Sequence, residues 1–224
     1  MEEALRRACL FAALDSETAS TLRAGMTEVT LRRGGVLFVE GEAGDQLYVV
    51  VEGKIKLGRT SHDGRKNLFA VLGPGDMCGE LSVFDPGPRR ATATALTSCR
   101  LLGLGIGDFR VWLAHRPEMA LVLLRALAQR LRRANEALAD LVFTDVPGRI
   151  AKALVDLAKR FAVPTDDGVR VAHDLTQDEL AQLVGASRET VNKALADFVS
   201  RGWLRLEGRA VVLLEAKRLA RRAR

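Results

Sequence analysis

Residues 176–198, TQDELAQLVGASRETVNKALADF, constrain this chain more than any other segment. Thr176 followed by Glu179 is a capping-box pattern that starts a helix. Leu180, Leu183 and Val184 give that helix one apolar face. Gly185 ends it, because glycine accepts a left-handed turn at little cost. Ser187 can cap a second helix whose buried face is Val191, Leu195 and Phe198, spaced i, i+4, i+7. Arg188, Glu189, Asn192 and Lys193 then fall on the outward face. This is the layout of a helix-turn-helix that reads DNA. Arginine can fork to guanine O6 and N7, and glutamate can accept from cytosine N4. Lys193 is placed for a guanine or a phosphate. Ser187 and Thr190, with the free N–H groups of the helix start, suit phosphate contacts. Against this stands a plain helical hairpin with a solvated polar face.

The residues that follow weigh against the plain hairpin. Trp203, Leu204 and Leu206 read as a short strand, Glu207-Gly208 as a turn, and Ala210 to Leu214 as a second strand. A hairpin directly after the second helix is the wing of a winged helix, with Arg205 and Arg209 near the DNA backbone. The segment KRLARRAR carries Lys217, Arg218, Arg221, Arg222 and Arg224 and no acid. It reads as a solvated basic tail that adds phosphate affinity.

The charge distribution agrees. The net charge is +6, but residues 1–115 hold 14 basic and 14 acidic residues, while residues 145–224 hold 15 and 11. The excess lies with the helix-turn-helix, as phosphate binding requires. No stretch approaches the ~20 apolar residues of a membrane span. The opening MEEALRRACLF lacks the order of a signal peptide. The chain therefore reads as cytoplasmic, without a membrane partner. Cys9, Cys78 and Cys99 fit no metal spacing and read as reduced structural thiols. His62, His115 and His173 are too scattered for a metal set and read as surface or capping residues. No nucleophile–base pair or phosphate loop of an NTPase is visible, so neither an enzyme nor a metal site is expected.

The remaining chain gives an α+β reading. Residues 2–25 look helical with a break near residues 11–14, after which Asp15 can cap a second piece. From Met26 to Gly107, short β-rich runs are separated by recurring glycines, which points to an antiparallel barrel or jelly roll. Pro117 opens a long helix that runs to about Phe143. Leu124, Leu131 and Leu138 repeat every seven residues, and Leu127, Ala134 and Leu141 follow each by three. That seam suits a homodimer, as does a helix-turn-helix that reads two half-sites. Residues 144–148 read as a hinge, and Ile150, Leu154, Leu157 and Phe161 begin the next core. The expected domains are a β-roll at 1–115, a dimerisation helix at 116–143, the hinge at 144–148 and a winged helix-turn-helix at 149–224.

Within the β-rich part lies GDMCGELSVFDPGPRRATA. Glycine lets backbone N–H groups approach a phosphate, arginine forks to its oxygens, and a carboxylate can accept from a sugar hydroxyl. This cassette, the long helix and the winged helix occur here in the order that resembles the cyclic AMP receptor protein (CRP/FNR) family of bacterial transcription regulators. GEAGDQLYVVVEGKIKL is similar to the family's cyclic-nucleotide signature. GELSVFDPGPR and LTQDELAQLVGASRETVNKALADF are most like its actinobacterial, GlxR-like members. The resemblance covers essentially the whole chain.

The resemblance implies cyclic AMP bound between the β-roll and the long helix. Gly79 and Glu80, within the run Gly79-Glu80-Leu81-Ser82, would meet ribose and phosphate, and Arg89 the cyclic phosphate. Arg130 would brace Glu80, and Asn135 would reach adenine. The chain departs from the family pattern twice. Arg90 stands where the family has Ser or Thr, and Ala134 where it has Thr. cAMP control is the favoured reading, because Glu80, Arg89, Arg130 and Asn135 are all present; control by another nucleotide such as a cyclic dinucleotide, and ligand-independent DNA binding, are the alternatives. The implied operator is a palindrome of the GTG…CAC type, and RNA polymerase is a further candidate partner through residues 164–168. A cyclic-nucleotide module controlling a protein partner is the rival reading.

Overall fold

The computed structural model describes residues 14–223, together with Ala8 and Phe11. The expected helix before residue 11, with Cys9, lies outside the described residues, as does Arg224. The chain divides into two compact units, Met1–Arg65 with Phe69–Arg132, and Lys66–Leu68 with Arg133–Arg224.

The first unit begins with α1, Ser16–Ala24, capped as expected by Asp15, whose Oδ1 accepts from Thr18 N–H at 2.8 Å. Eight strands follow: β1 Thr27–Leu31, β2 Val36–Phe38, β3 Gln46–Glu52, β4 Ile55–Thr60, β5 Lys66–Leu72, β6 Met77–Cys78, β7 Thr92–Ala95 and β8 Cys99–Gly105. They form two four-stranded sheets, ordered β1-β8-β3-β6 and β2-β7-β4-β5. The short helix α2, Leu81–Phe84, interrupts them between β6 and β7. After β8 come α3, Ile106–Ala114, and the long α4, Glu118–Phe143.

β3 explains the layering. Its residues 47–51 are all buried, so both of its faces are covered. Because side chains alternate along a strand, the run splits by parity. Leu47, Val49 and Val51 pack with Leu22, Phe109 and Leu123 of the helices, while Tyr48 and Val50 pack with Phe38, Ile55 and Leu57 of the other sheet. β8 repeats the division: Leu102 and Leu104 face the helices and Leu101 faces the sheet interior. The antiparallel register, with Val49 opposite Leu102 and Val50 opposite Leu101, sets both layers at once.

In the second unit, α5 spans Val146–Phe161. Asp145 caps it, and a proline stands in its first turn. The expected hinge is therefore shorter than read, because Val146–Gly148 already belong to α5. A hairpin not expected from the sequence follows: β9 Ala162–Thr165 and β10 Gly168–Val171. Next come α6 Gln177–Val184, α7 Arg188–Ser200, β11 Leu204–Glu207, β12 Ala210–Leu213 and α8 Ala216–Arg222. The wing strands join the missed hairpin in one sheet, β11-β12-β10-β9. Ile150, Leu154, Leu180, Val191, Leu195 and Phe198 are buried, as the helical spacing requires. Phe198 stacks on Trp203 with ring centroids 5.5 Å apart. The basic tail is not solvated as expected: it forms a helix that packs on α5, with Leu219 fully buried. A single leucine, the fourth residue of the helix, is enough to turn a solvated-looking run into a docked one.

The turn between α6 and α7 depends on Gly185, at φ 64° and ψ 49°. A Cβ built there would fall 3.0 Å from Leu141 Cδ2. Gly185→Ala is expected to cost about 1–2 kcal/mol, and Phe198→Ala about 3–5 kcal/mol. Urea denaturation followed by far-UV dichroism checks both, and equal midpoints for the two variants would refute this ranking.

Candidate functional site

The candidate site is built where β6 pairs with β3. Tyr48 lies opposite Cys78 and Val49 opposite Met77, so the chain leaves β6 beside the start of the central strand. Gly79, at φ +84°, makes the turn. A Cβ there would stand 2.6 Å from Arg89 Nη1 and 2.7 Å from Gln46 O, so only glycine lets these groups close in. Glu80 follows at the start of α2. Arg89 is delivered from the other side by two backbone bonds, Arg89 N to Glu42 O at 2.7 Å and Gly41 N to Arg89 O at 2.9 Å.

Both charged side chains are buried, Glu80 and Arg89 each at 4 % exposure. They are satisfied by different groups. The Arg89 guanidinium donates to Gln46 O at 2.7 Å and to Gly79 O at 3.3 Å. It lies 4.4 Å over the ring of Phe38, a cation–π contact. Arg130 of α4 donates to Glu80 Oε1. Each buried group nevertheless keeps one polar atom without a partner among the described residues, Glu80 Oε2 and Arg89 Nε. Such atoms are rare in folded proteins and call for a ligand or water. A cavity of about 150 Å³ adjoins them, lined by Gly79, Glu80, Leu81, Ser82, Arg89, Arg90 and Arg130 among others.

Of the residues expected at this site, those seven are brought together. Arg90 is exposed, and among the described residues it has no ion-pair partner. Ala134 and Asn135 are not among the lining residues and are exposed on the later part of α4. Sequence reading missed Phe38, Phe69 and Asp85. Asp85 sits inside the quoted cassette and was readable there. Phe38 was not, since only the sheet places its ring beneath Arg89. Cys78 also borders the cavity, and burial pushes its thiol up to about 12, so it is an inert neutral wall.

The helix-turn-helix is as read. Thr176 Oγ1 accepts from Glu179 N–H at 3.1 Å, and Glu179 Oε2 accepts from Thr176 N–H at 2.7 Å. Ser187 Oγ accepts from Thr190 N–H at 3.2 Å and lies 2.9 Å from Thr190 Oγ1. The capping residues thus hold the two helix starts first. Arg188, Glu189, Thr190 and Lys193 are exposed on α7. Arg188 Nη1 is 3.5 Å from Asp178 Oδ2 on α6, a loose, solvated pair. Asn192 departs from its expected outward place: it is half-buried, and its Oδ1 is buried without a partner among the described residues.

The wing separates its two arginines. Arg209 is exposed beside the β11–β12 turn. Arg205 instead pairs with Asp167 of the β9–β10 turn and with Glu207, which also takes Arg170 at 2.9 Å. The Arg205 pairing holds the Asp167 carboxyl below its usual range, and Arg170 followed by Arg205 does so for Glu207. Arg205 is therefore largely neutralised by its own sheet, a tertiary pairing across 38 residues that local reading could not see. His62 and His115 are exposed, but His173 is buried, and its Nδ1 accepts from Leu175 N–H at 3.1 Å.

Residues 28–116 match the cyclic nucleotide-binding domain, and residues 148–222 match the Crp-like helix-turn-helix domain. The CRP-like cAMP-activated global transcriptional regulator of Mycobacterium tuberculosis is 54 % identical over 224 residues, all of both chains. The solved structure of FixK2 from Bradyrhizobium japonicum is 26 % identical, covers 88 % of this chain and 96 % of its own, and has a TM-score of 0.79. The N-terminal domain of a transcriptional regulator from Streptomyces coelicolor A3(2) is 62 % identical over 59 % of this chain and 95 % of its own, with a TM-score of 0.50. With a cyclic-nucleotide domain ahead of a DNA-reading helix-turn-helix, and a full-length relative at this identity, the chain belongs to the family of CRP-like transcriptional regulators.

Proposed function

We propose that this chain is a cytoplasmic, homodimeric regulator that binds a palindromic operator and is controlled by cAMP in the Glu80–Arg89 cavity. The observation that carries the ligand reading is the pair of buried, oppositely charged side chains, each with one unsatisfied atom, beside one cavity. A ribose hydroxyl can donate to Glu80, and a cyclic phosphate can take the Arg89 fork in place of the backbone carbonyls. The full-length relative is named as cAMP-activated, which favours cAMP among anionic nucleotides. Arg90 supplies a cation where the family has a hydroxyl, so it strengthens attraction to phosphate without the same directed bond. Asn135, exposed on α4, reaches adenine in this reading.

The dimer reading rests on α4. Leu124, Leu131, Leu138 and Leu141 are each more than half exposed, although they form one apolar stripe. Such a stripe is covered most simply by the same stripe of a second copy. Two recognition helices about 34 Å apart then enter successive major grooves. Arg188 and Glu189 read bases, Lys193 and Arg209 hold phosphates, and the capped starts at Thr176, Ser187 and Thr190 offer N–H groups and hydroxyls to the backbone. The β9–β10 turn, with Asp166 exposed, is the surface we assign to RNA polymerase.

Three measurements test this reading. Calorimetry on ligand-stripped protein is expected to show cAMP binding that weakens about 10- to 100-fold in Arg89→Gln. No heat with cAMP, or heat only with a cyclic dinucleotide, would overturn cAMP control. Arg188→Ala is expected to lose about 1–3 kcal/mol on a GTG…CAC palindrome and to relax one guanine, whereas Arg209→Ala lowers the salt slope by about one. Equal loss on all sequences in Arg188→Ala would make Arg188 a phosphate contact. Finally, Leu131→Glu should sediment as a monomer, and an unchanged dimer would remove α4 as the interface.

A further inference from the structure

The second unit holds an ion pair that neither DNA reading nor ligand binding uses. α8 is anchored on α5 by fully buried Leu219. Its last turn brings Arg222 Nη2 onto Asp145 Oδ2. Asp145 is also the cap of α5, and its Oδ1 accepts from Gly148 N–H at 3.0 Å. This approach requires a bare backbone at 148. A Cβ built there would fall 3.0 Å from Arg222 Nη1, 2.9 Å from Asp145 Oδ1 and 2.6 Å from Thr144 Cγ2.

The same break between α4 and α5 is held on other sides. Arg149 Nη1 donates to Thr144 O at 2.7 Å, its Nε to Val184 O at 2.9 Å and its Nη2 to Gly185 O at 3.2 Å. Lys152 Nζ lies 2.5 Å from Asp140 Oδ2. A two-residue break between helices is where a chain bends most easily, since few residues absorb the change. Here three cations from α5 and α8 span it.

We propose that α8 is a clamp on this joint: Arg222 holds Asp145 in its capping position and so favours the present arrangement of the end of α4 and the start of α5. Arg222 draws the Asp145 carboxyl below its usual range, which keeps it charged for the pair. The pair is partly solvated, with side-chain exposures of 33 % and 60 %, so its bias is modest. Breaking it shifts the joint by at most about five-fold. The consequence for regulation rests on the proposed function. The clamp weights one joint state, so it sets how far a ligand can shift the equilibrium toward DNA binding.

The test uses the full chain as Arg222→Gln, Asp145→Asn, the double variant, and Arg218→Gln as a control on the same helix. Asp145→Asn keeps the capping oxygen and removes the charge. Hydrogen exchange of the amides of Gly148, Arg149 and Ile150 in the ligand-free protein is expected to quicken two- to five-fold in either single variant, no further in the double, and not at all in Arg218→Gln. Operator affinity with and without cAMP is expected to change in ratio by the same factor. Unchanged exchange, or additive effects in the double variant, overturns the clamp. Faster exchange with an unaltered affinity ratio overturns its regulatory role. Failure of cAMP or operator to bind at all sinks the functional reading, while exchange still decides the clamp.

Discussion

Two opposite charges buried in one pocket set the terms for the first unit. Taking Arg89 and Glu80 out of water costs several kcal/mol per ion unless the protein replaces the lost hydration. The replacement comes from separate elements: carbonyl oxygens of Gln46 and Gly79, the ring of Phe38 on β2, and the guanidinium of Arg130 on α4. Hence the register of β6 on β3, the bare Gly79, and the packing of α4 through Leu123 all bear on the same two side chains. A shift in any of them would leave a buried charge uncompensated. What remains unsatisfied, one atom on each charge, is what a ligand can complete.

The second unit solves a different problem, presenting charge rather than burying it. Its core residues on α6 and α7 lie inward at helical spacing, and this alone turns Arg188, Glu189 and Lys193 outward. The sheet then edits the charge pattern. Arg205 is matched by Asp167 and Glu207, whereas Arg209 at the wing turn is left exposed. Counting basic residues overstates the free positive charge of this unit, because part of it is paired within the unit.

The helix-turn-helix was legible because its signals are local. Thr176 with Glu179, Gly185 and Ser187 act within a few residues, and the structure shows each in its capping or turning geometry. The glycine-punctuated strands and the long α4 were legible for the same reason. The β9–β10 hairpin was hidden by Pro164 and two aspartates, which look like a loop until β12 pairs with β10. The docked α8 was hidden by its charge, since one buried leucine carries it.

By itself the sequence determined the element types, the order of the two domains, the reading helix, and the Gly79-Glu80 and Arg89 cassette. Those features rest on caps, turns and periodicity, whose energies act between near neighbours along the chain. Only the tertiary structure decided which charges are free. It buried Arg89 over Phe38, joined Arg130 to Glu80 across 50 residues, neutralised Arg205 with Asp167 and tied Arg222 to Asp145 across 77. The reason is physical: an ion's worth depends on its partner and on the water it loses, and folding alone settles both.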